Sequence, residues 1–231
     1  LCWGIDMIKN PILITGAARS GTSMTAGVIN LCGAWGGELA KATPYNKKGM
    51  YENRVIVNEM VKPLLIAVGA DPMGQKPLPN IRDFEEIDSV QWREKFIKIM
   101  KSQGYNGEED ILMYKGAKMC LMWTLWDRAF PDAKWIIVRR RSEDIISSCM
   151  KTGFMSKYKD RNGWLGWVRE HVKRFKEMYE NKLNIREVFP QEMIDGNYID
   201  IESIIEWLGL EWKEQTVKDF ISPDLWNKET I

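Results

Sequence analysis

Apolar positions along the chain recur with two different periods, and the two alternate. Pro11-Ile12-Leu13-Ile14-Thr15 is a short β-favouring run that stops at Gly16, which reads as a buried strand. From Thr22 the spacing turns helical, with Met24, Val28, Leu31 and Cys32 on one face and Gly33 as the stop. Residues 34–53 are rich in Gly, Pro and Asn and read as irregular, a helix follows over 53–67, and the three prolines of 70–82 mark a loop. Trp92, Phe96, Ile99 and Met100 set a helix near 89–102. Ile111 to Lys115 is a second strand, 119–130 a helix, and Lys134-Trp135-Ile136-Ile137-Val138 a third strand. Ser142 then reads as an N-cap, with Glu143 and Asp144 in the first turn of a helix reaching Lys151. Trp164, Trp167, Val168, His171, Phe175 and Met178 line a long helix over 163–181, Ile185 to Phe189 is a fourth strand, and Ile201, Ile204, Ile205 and Leu208 mark a helix ending at Gly209. Strands separated by helices predict an α/β fold with a central parallel sheet flanked by helices, and a ligand at the strands' carboxyl ends. No repeat or linker divides residues 1–231, so one domain is expected.

Composition narrows the function classes. Lys+Arg number 33 against 32 Asp+Glu, a formal net charge of +1, so bulk attraction to nucleic acid or to an anionic membrane is not expected. A single His excludes a multi-His zinc centre. Cys2, Cys32, Cys120 and Cys149 form no CxxC pair, which predicts reduced, buried thiols and a cytoplasmic location. No apolar run approaches the roughly 20 residues of a membrane span. Leu1 to Asp6 lack a signal-peptide pattern; Met7 is a candidate start, with 1–6 an extension ahead of it.

The most specific motif is Gly16-Ala17-Ala18-Arg19-Ser20-Gly21-Thr22-Ser23, which leaves the first strand and opens a helix. Gly-x4-Gly followed by Thr-Ser in that setting is a P-loop shape, in which two glycines let the backbone turn so that successive N–H groups face an anion. The fold expected is therefore the three-layer, P-loop nucleoside triphosphate hydrolase-like type. Where such hydrolases carry Lys after the second Gly, this chain has Thr22, and the cation sits inside the loop as Arg19. A clamp for β- and γ-phosphates is missing, while a cradle for one 5′-phosphate remains.

Arg-Ser-Gly-Thr-Ser after a strand resembles the 5′-phosphosulfate loop of sulfotransferases that use 3′-phosphoadenosine 5′-phosphosulfate (PAPS). A second likeness is a strand ending at Arg139 with Ser147 eight residues on, similar to the family's 3′-phosphate site; taken alone, Arg139-Arg140-Arg141 is a solvated basic cluster. Asn46-Lys47-Lys48-Gly49-Met50-Tyr51-Glu52-Asn53 resembles a bacterial-type Asn-x-x-Gly-x-x-Glu segment, and Phe130-Pro131-Asp132-Ala133-Lys134 and Trp207-Leu208-Gly209-Leu210 are also similar to family landmarks. The resemblance implies PAPS as donor, PAP as product, no metal, and a hydroxyl or amine of a small molecule or glycan as acceptor. It implies that Gly16, Ala18, Arg19, Ser20, Gly21, Thr22 and Ser23 cradle the donor, with Arg139 and Ser147 on its 3′-phosphate and Phe189 on adenine.

Catalysis needs charge stabilisation and a base. Arg19 suits the first, because a guanidinium stays charged, and Lys115 at the end of the second strand is its natural partner, with Lys118 as rival. The family's His after that strand is replaced by Lys115-Gly116-Ala117, and His171 sits on an apolar helix face, so a carboxylate is expected as base: Glu52 first, Glu38 second. Segments 70–82 and 152–162 flank the edge as candidate lids. Two other readings stay open at this point: a P-loop kinase or triphosphatase, and a non-catalytic nucleotide binder of the same fold.

Overall fold

The computed structural model describes residues 10–44, 46–107 and 110–226. Five strands form one parallel sheet: β1 (Ile12–Thr15), β2 (Ala34–Trp35), β3 (Ile111–Lys115), β4 (Lys134–Val138) and β5 (Ile185–Val188), in the order β2-β3-β1-β4-β5. The order changes direction at β1, so the crevice for a ligand opens above its carboxyl end. The central strands are continuous apolar runs because helices cover both faces. Leu13, Ile14, Ile136 and Ile137 are fully buried, each contributing roughly 1.5–3 kcal/mol.

Alternation along the strands sorts side chains between two cores. Leu13, Trp135 and Ile137 face the helices α4 (Ser89–Ser102), α5 (Trp123–Ala129) and α7 (Arg161–Glu180). Ile12, Ile14, Ile136 and Val138 face α1 (Thr22–Leu31), α9 (Ile199–Leu208) and α10 (Glu214–Phe220). The predicted helix over 53–67 is present as α2 (Arg54–Ile56), a π-helical turn Val57–Val61 and α3 (Lys62–Ala67). Asn53 caps it, its side chain accepting from the Ile56 N–H at 3.3 Å.

Several local expectations change. The irregular stretch after α1 holds the edge strand β2, too short to show a period. The helix over 119–130 begins as a 3₁₀ turn, Met119–Met122. Ser142 is not the N-cap but the first residue of α6 (Ser142–Met150); Arg141 holds the cap position and offers no side-chain acceptor. Phe189 ends no strand; it precedes α8 (Pro190–Ile194), which like α10 had no readable period. Cys32, Cys120 and Cys149 are buried free thiols, and Cys2 lies outside the described residues. No helix among the described residues is long and apolar enough to cross a membrane.

Candidate active site

The loop between β1 and α1 fixes the site. Gly16 sits where a Cβ would lie 2.6 Å from the Val138 carbonyl oxygen and 2.8 Å from Ser20 Oγ, so any side chain would close the cradle. Arg19 and Gly21 have positive φ, 72° and 101°. Gly21 takes that conformation freely, whereas Arg19 holds it at a cost of about 1–2 kcal/mol. Its partners hold it there: Arg140 donates to the Arg19 carbonyl at 3.0 Å, and Arg19 Nε donates to Ser148 Oγ at 3.0 Å. Gly21 caps α1 with no side-chain acceptor, so the N–H groups of the first turn keep their capacity for an anion. Ser20 Oγ is buried with no hydrogen-bond partner among the described residues, a donor that a bound anion would satisfy.

A cavity of about 690 Å³ opens on this loop, within the usual range for ligand sites. Among the described residues, eight Lys and Arg line it against two acids, Glu52 and Asp224, so the near-neutral chain gathers positive charge here. Ala18, Arg19, Gly21, Thr22 and Ser23 are in the lining, with Gly16 and Ser20 beneath it.

The β4 side requires a correction by one residue. Arg139 turns away from the cavity: it pairs with Glu187 at 2.6 Å and lies 5.4 Å over the Phe175 ring of α7. Ser147 is buried in α6 outside the lining. Arg140 and Ser148, also eight apart, line the cavity instead. The reason is strand parity. Residues 135 and 137 face the α7 side, and 139 continues that series, whereas 136, 138 and 140 run on the α1 side, where the loop lies. On α6, Asp144 and Ser148 share a face as an i, i+4 pair. Burial lowers the Arg140 guanidinium to about 10, opposed by Asp144 and reinforced by Arg19. Burial lowers Arg19 as well. Both stay charged near neutrality.

Phe189 is 46% exposed and outside the cavity lining, so it is not placed to stack on a nucleotide there. The aromatic at this rim is Trp226, which lies 4.0 Å from the Arg140 guanidinium, contacts the position a Gly21 Cβ would take, and donates to Gln191 at 2.8 Å. Nothing in the local pattern of an irregular C-terminal segment marks it.

On the β3 side, register does the positioning. Ile14 pairs with Lys115, the Gly116 N–H bonds the Ile14 carbonyl, and Thr15 Oγ1 bonds the Gly116 carbonyl, so the ends of β1 and β3 are tied together. Lys115 is buried and donates to Glu52 Oε1 at 2.9 Å, the Met50 carbonyl at 3.2 Å and Ser23 Oγ at 3.3 Å. Burial pushes the Glu52 carboxyl up, but Lys115, Lys118 and Lys62 outweigh it and hold the group below the usual carboxylate range. Glu52 therefore faces the cavity ionised. Glu38 is exposed, outside the lining, with its N–H bonded to the Gln103 side chain.

His171 lines the cavity floor, fully buried. It lies 2.9 Å through Nδ1 from the Trp167 carbonyl, which selects the tautomer protonated at Nδ1, and burial depresses it to about 4. It is neutral near pH 7. The two candidate lids form one wall: the Gln75 side chain donates to the Phe154 carbonyl at 2.8 Å and accepts from the Ser156 and Lys157 N–H groups. Met73, Gly74, Phe154 and Met155 of that wall face the cavity.

No family model and no curated protein matches the chain. Solved structures do. The sulfotransferase domain of the Synechococcus PCC 7002 olefin synthase matches at a TM-score of 0.55 with 15% identity, covering 97% of this chain and 82% of that one. A sulfotransferase from Mycobacterium tuberculosis H37Rv matches at 0.53 with 13% identity, over 93% and 72%. The sulfotransferase domain from the curacin biosynthetic pathway matches at 0.56 with 10% identity, over 95% and 81%. A parallel five-stranded sheet flanked by helices, with a glycine loop at the change in strand order, is thus the sulfotransferase fold.

Proposed function

We propose that this protein is a sulfotransferase that moves a sulfuryl group from PAPS to a hydroxyl or amine of a small molecule or glycan. The observation that carries the reading is the convergence of Arg19, Arg140 and Ser148 with the glycine loop at one end of a cationic cavity. A kinase or triphosphatase needs a lysine after Gly21, and Thr22 stands there.

The residues divide the work. The first-turn N–H groups and Ser20 would hold the 5′-phosphate, and Arg140 with Ser148 the 3′-phosphate that distinguishes PAP from adenosine 5′-phosphate. PAPS, when bound, supplies the sulfuryl group and a bisphosphate leaving group. Arg19 and Lys115 flank the position of the transferring group and stabilise negative charge that grows on its oxygens. Glu52, held ionised by Lys115, takes the acceptor proton. Because its basicity is low, that transfer comes late, once bond formation has made the attacking oxygen acidic.

The test is ligand stabilisation together with transfer. PAP raises the melting temperature well above the effect of adenosine 5′-phosphate, Arg140→Ala removes the difference, and sulfate from labelled PAPS appears on an acceptor without ATP. Equal stabilisation by both nucleotides would overturn the 3′-phosphate assignment. Transfer of phosphate from ATP would overturn the reaction class. Stabilisation by PAP with no transfer across an alcohol, phenol and amine panel would leave a nucleotide-binding protein.

A further inference from the structure

The basic residues of the cavity are more numerous than a donor site uses, and two groups of them stand apart from Lys115 and from Lys47 and Lys48 of the 46–50 segment. Arg19 and Arg140 belong to the glycine loop and the β4 side. Arg54, Lys62 and Lys118 belong to another wall, where Lys62 and Lys118 are near enough to act on Glu52. Resting on the sulfuryl-transfer reading, we propose that the acceptor carries an anionic group, a carboxylate or a sulfate, which Arg54, Lys62 and Lys118 hold while its hydroxyl faces Glu52 and Lys115.

Three observations support this wall as a binding surface. First, Arg54, Asn58 and Lys62 all line the cavity from one continuous helix. Four residues overshoot a 3.6-residue turn, so an i, i+4, i+8 column drifts around a pure α-helix; the wider π turn over Val57–Val61 takes up that drift and keeps the three in line. The Lys62 ammonium is steadied by Asn58 Oδ1 at 3.1 Å.

Second, no acid among the described residues forms an ion pair with Arg54, Lys62 or Lys118. Lys62 and Lys118 are near enough to help hold Glu52 ionised, yet Glu52 is already paired with Lys115. Asp224, the other acid of the lining, belongs to the segment of Trp226, which lies on Gly21 and Arg140. Glu59, on the same helix, is outside the lining. Like charges gathered on a concave surface repel one another, and an anion relieves that repulsion. Third, neutral surface adjoins it, with Gly74 so close that a Cβ there would lie 2.9 Å from the Lys118 side chain. Val57, Met73, Phe154 and Met155 offer apolar surface and His171 is uncharged, so the surface suits a ring or chain that ends in an anion.

The test uses three probes that share one sugar: methyl glucoside, its uronic acid, and its 6-sulfate. Binding is measured by calorimetry at constant ionic strength, with and without saturating PAP. The expected result is about tenfold tighter binding of at least one anionic sugar than of the neutral one, as for one charge-assisted contact. The carboxylate and sulfate arms name which anion is held. In Arg54→Glu/Lys62→Glu the preference disappears or inverts; Arg54→Gln/Lys62→Gln serves where charge reversal disturbs folding, and a retained PAP shift shows that the variant is folded. Equal binding of all three sugars, or a preference that survives these changes, overturns the proposal. If PAP gives no stabilisation while the anionic preference still depends on Arg54 and Lys62, the donor reading fails and the anion-binding wall stands.

Discussion

The two sides of the crevice above β1 hold positive charge in different ways. On the β4 side, Arg19 donates to a serine hydroxyl, and Arg140 donates to a backbone carbonyl, lies over a tryptophan ring and has Asp144 close enough to raise it. Both guanidiniums are lowered by burial, so the fold holds cations in an environment that disfavours them. On the β3 side, Lys115 is buried with its own counterion, Glu52, and two hydrogen-bond acceptors. The difference teaches how one sheet edge serves two tasks. The β4 side keeps a buried donor, Ser20 Oγ, with no partner among the described residues, whereas the β3 side pairs Lys115 beforehand and presents an ionised carboxylate.

The largest expected effect breaks the β3 side. Lys115→Met leaves Glu52 without its closest cation and should destabilise the protein by about 3–5 kcal/mol, read as a shift in the denaturation midpoint. Adding Glu52→Leu should restore most of that loss; additive losses would mean the pair is not coupled. Next comes the floor. His171 has a folded pKa of about 4 against an ordinary value near 6.5, so the folded state binds fewer protons than the unfolded state across that window. Its contribution is present in full above pH 6.5 and is lost as pH falls towards 4, amounting to about 3 kcal/mol. The stability difference between the wild type and His171→Phe should follow that curve, and a flat difference would place the ring in contact with solvent.

Two smaller effects sharpen the β4 side. Arg140→Ala should weaken PAP about 30-fold, or about 2 kcal/mol, the loss of a charge-assisted contact. Arg139→Ala, one residue away, should leave PAP affinity unchanged and cost less than about 1 kcal/mol of stability, because its pair with Glu187 is partly exposed. If the two variants behave in the reverse order in calorimetric titration with PAP, the parity assignment of the strand end is wrong.

Much of this arrangement is legible in the chain before it folds. Ile12 to Thr15, Ile111 to Lys115 and Lys134 to Val138 are short, mostly apolar runs, and all three are strands as read. The glycine loop is legible because its requirement is local: a turn, positive φ and a helix start within eight residues. The eight-residue Arg-to-Ser spacing is legible too, but it occurs twice, at 139/147 and 140/148. Counting spacing alone cannot choose between them, whereas alternation along β4 can. The short elements β2, α8 and α10 span fewer residues than a period needs to show itself.

By itself, then, the sequence determined the parallel α/β framework, the phosphate-loop shape and the absence of a lysine after its second glycine. Each depends on neighbours within a turn or a strand. Only the tertiary structure decided which arginine reaches the loop, that Glu52 and not Glu38 meets Lys115, that His171 is a neutral floor, and that Trp226 lies on the rim. Those outcomes join residues tens to more than a hundred positions apart, and they are set by register between strands and by which face of the sheet each side chain enters.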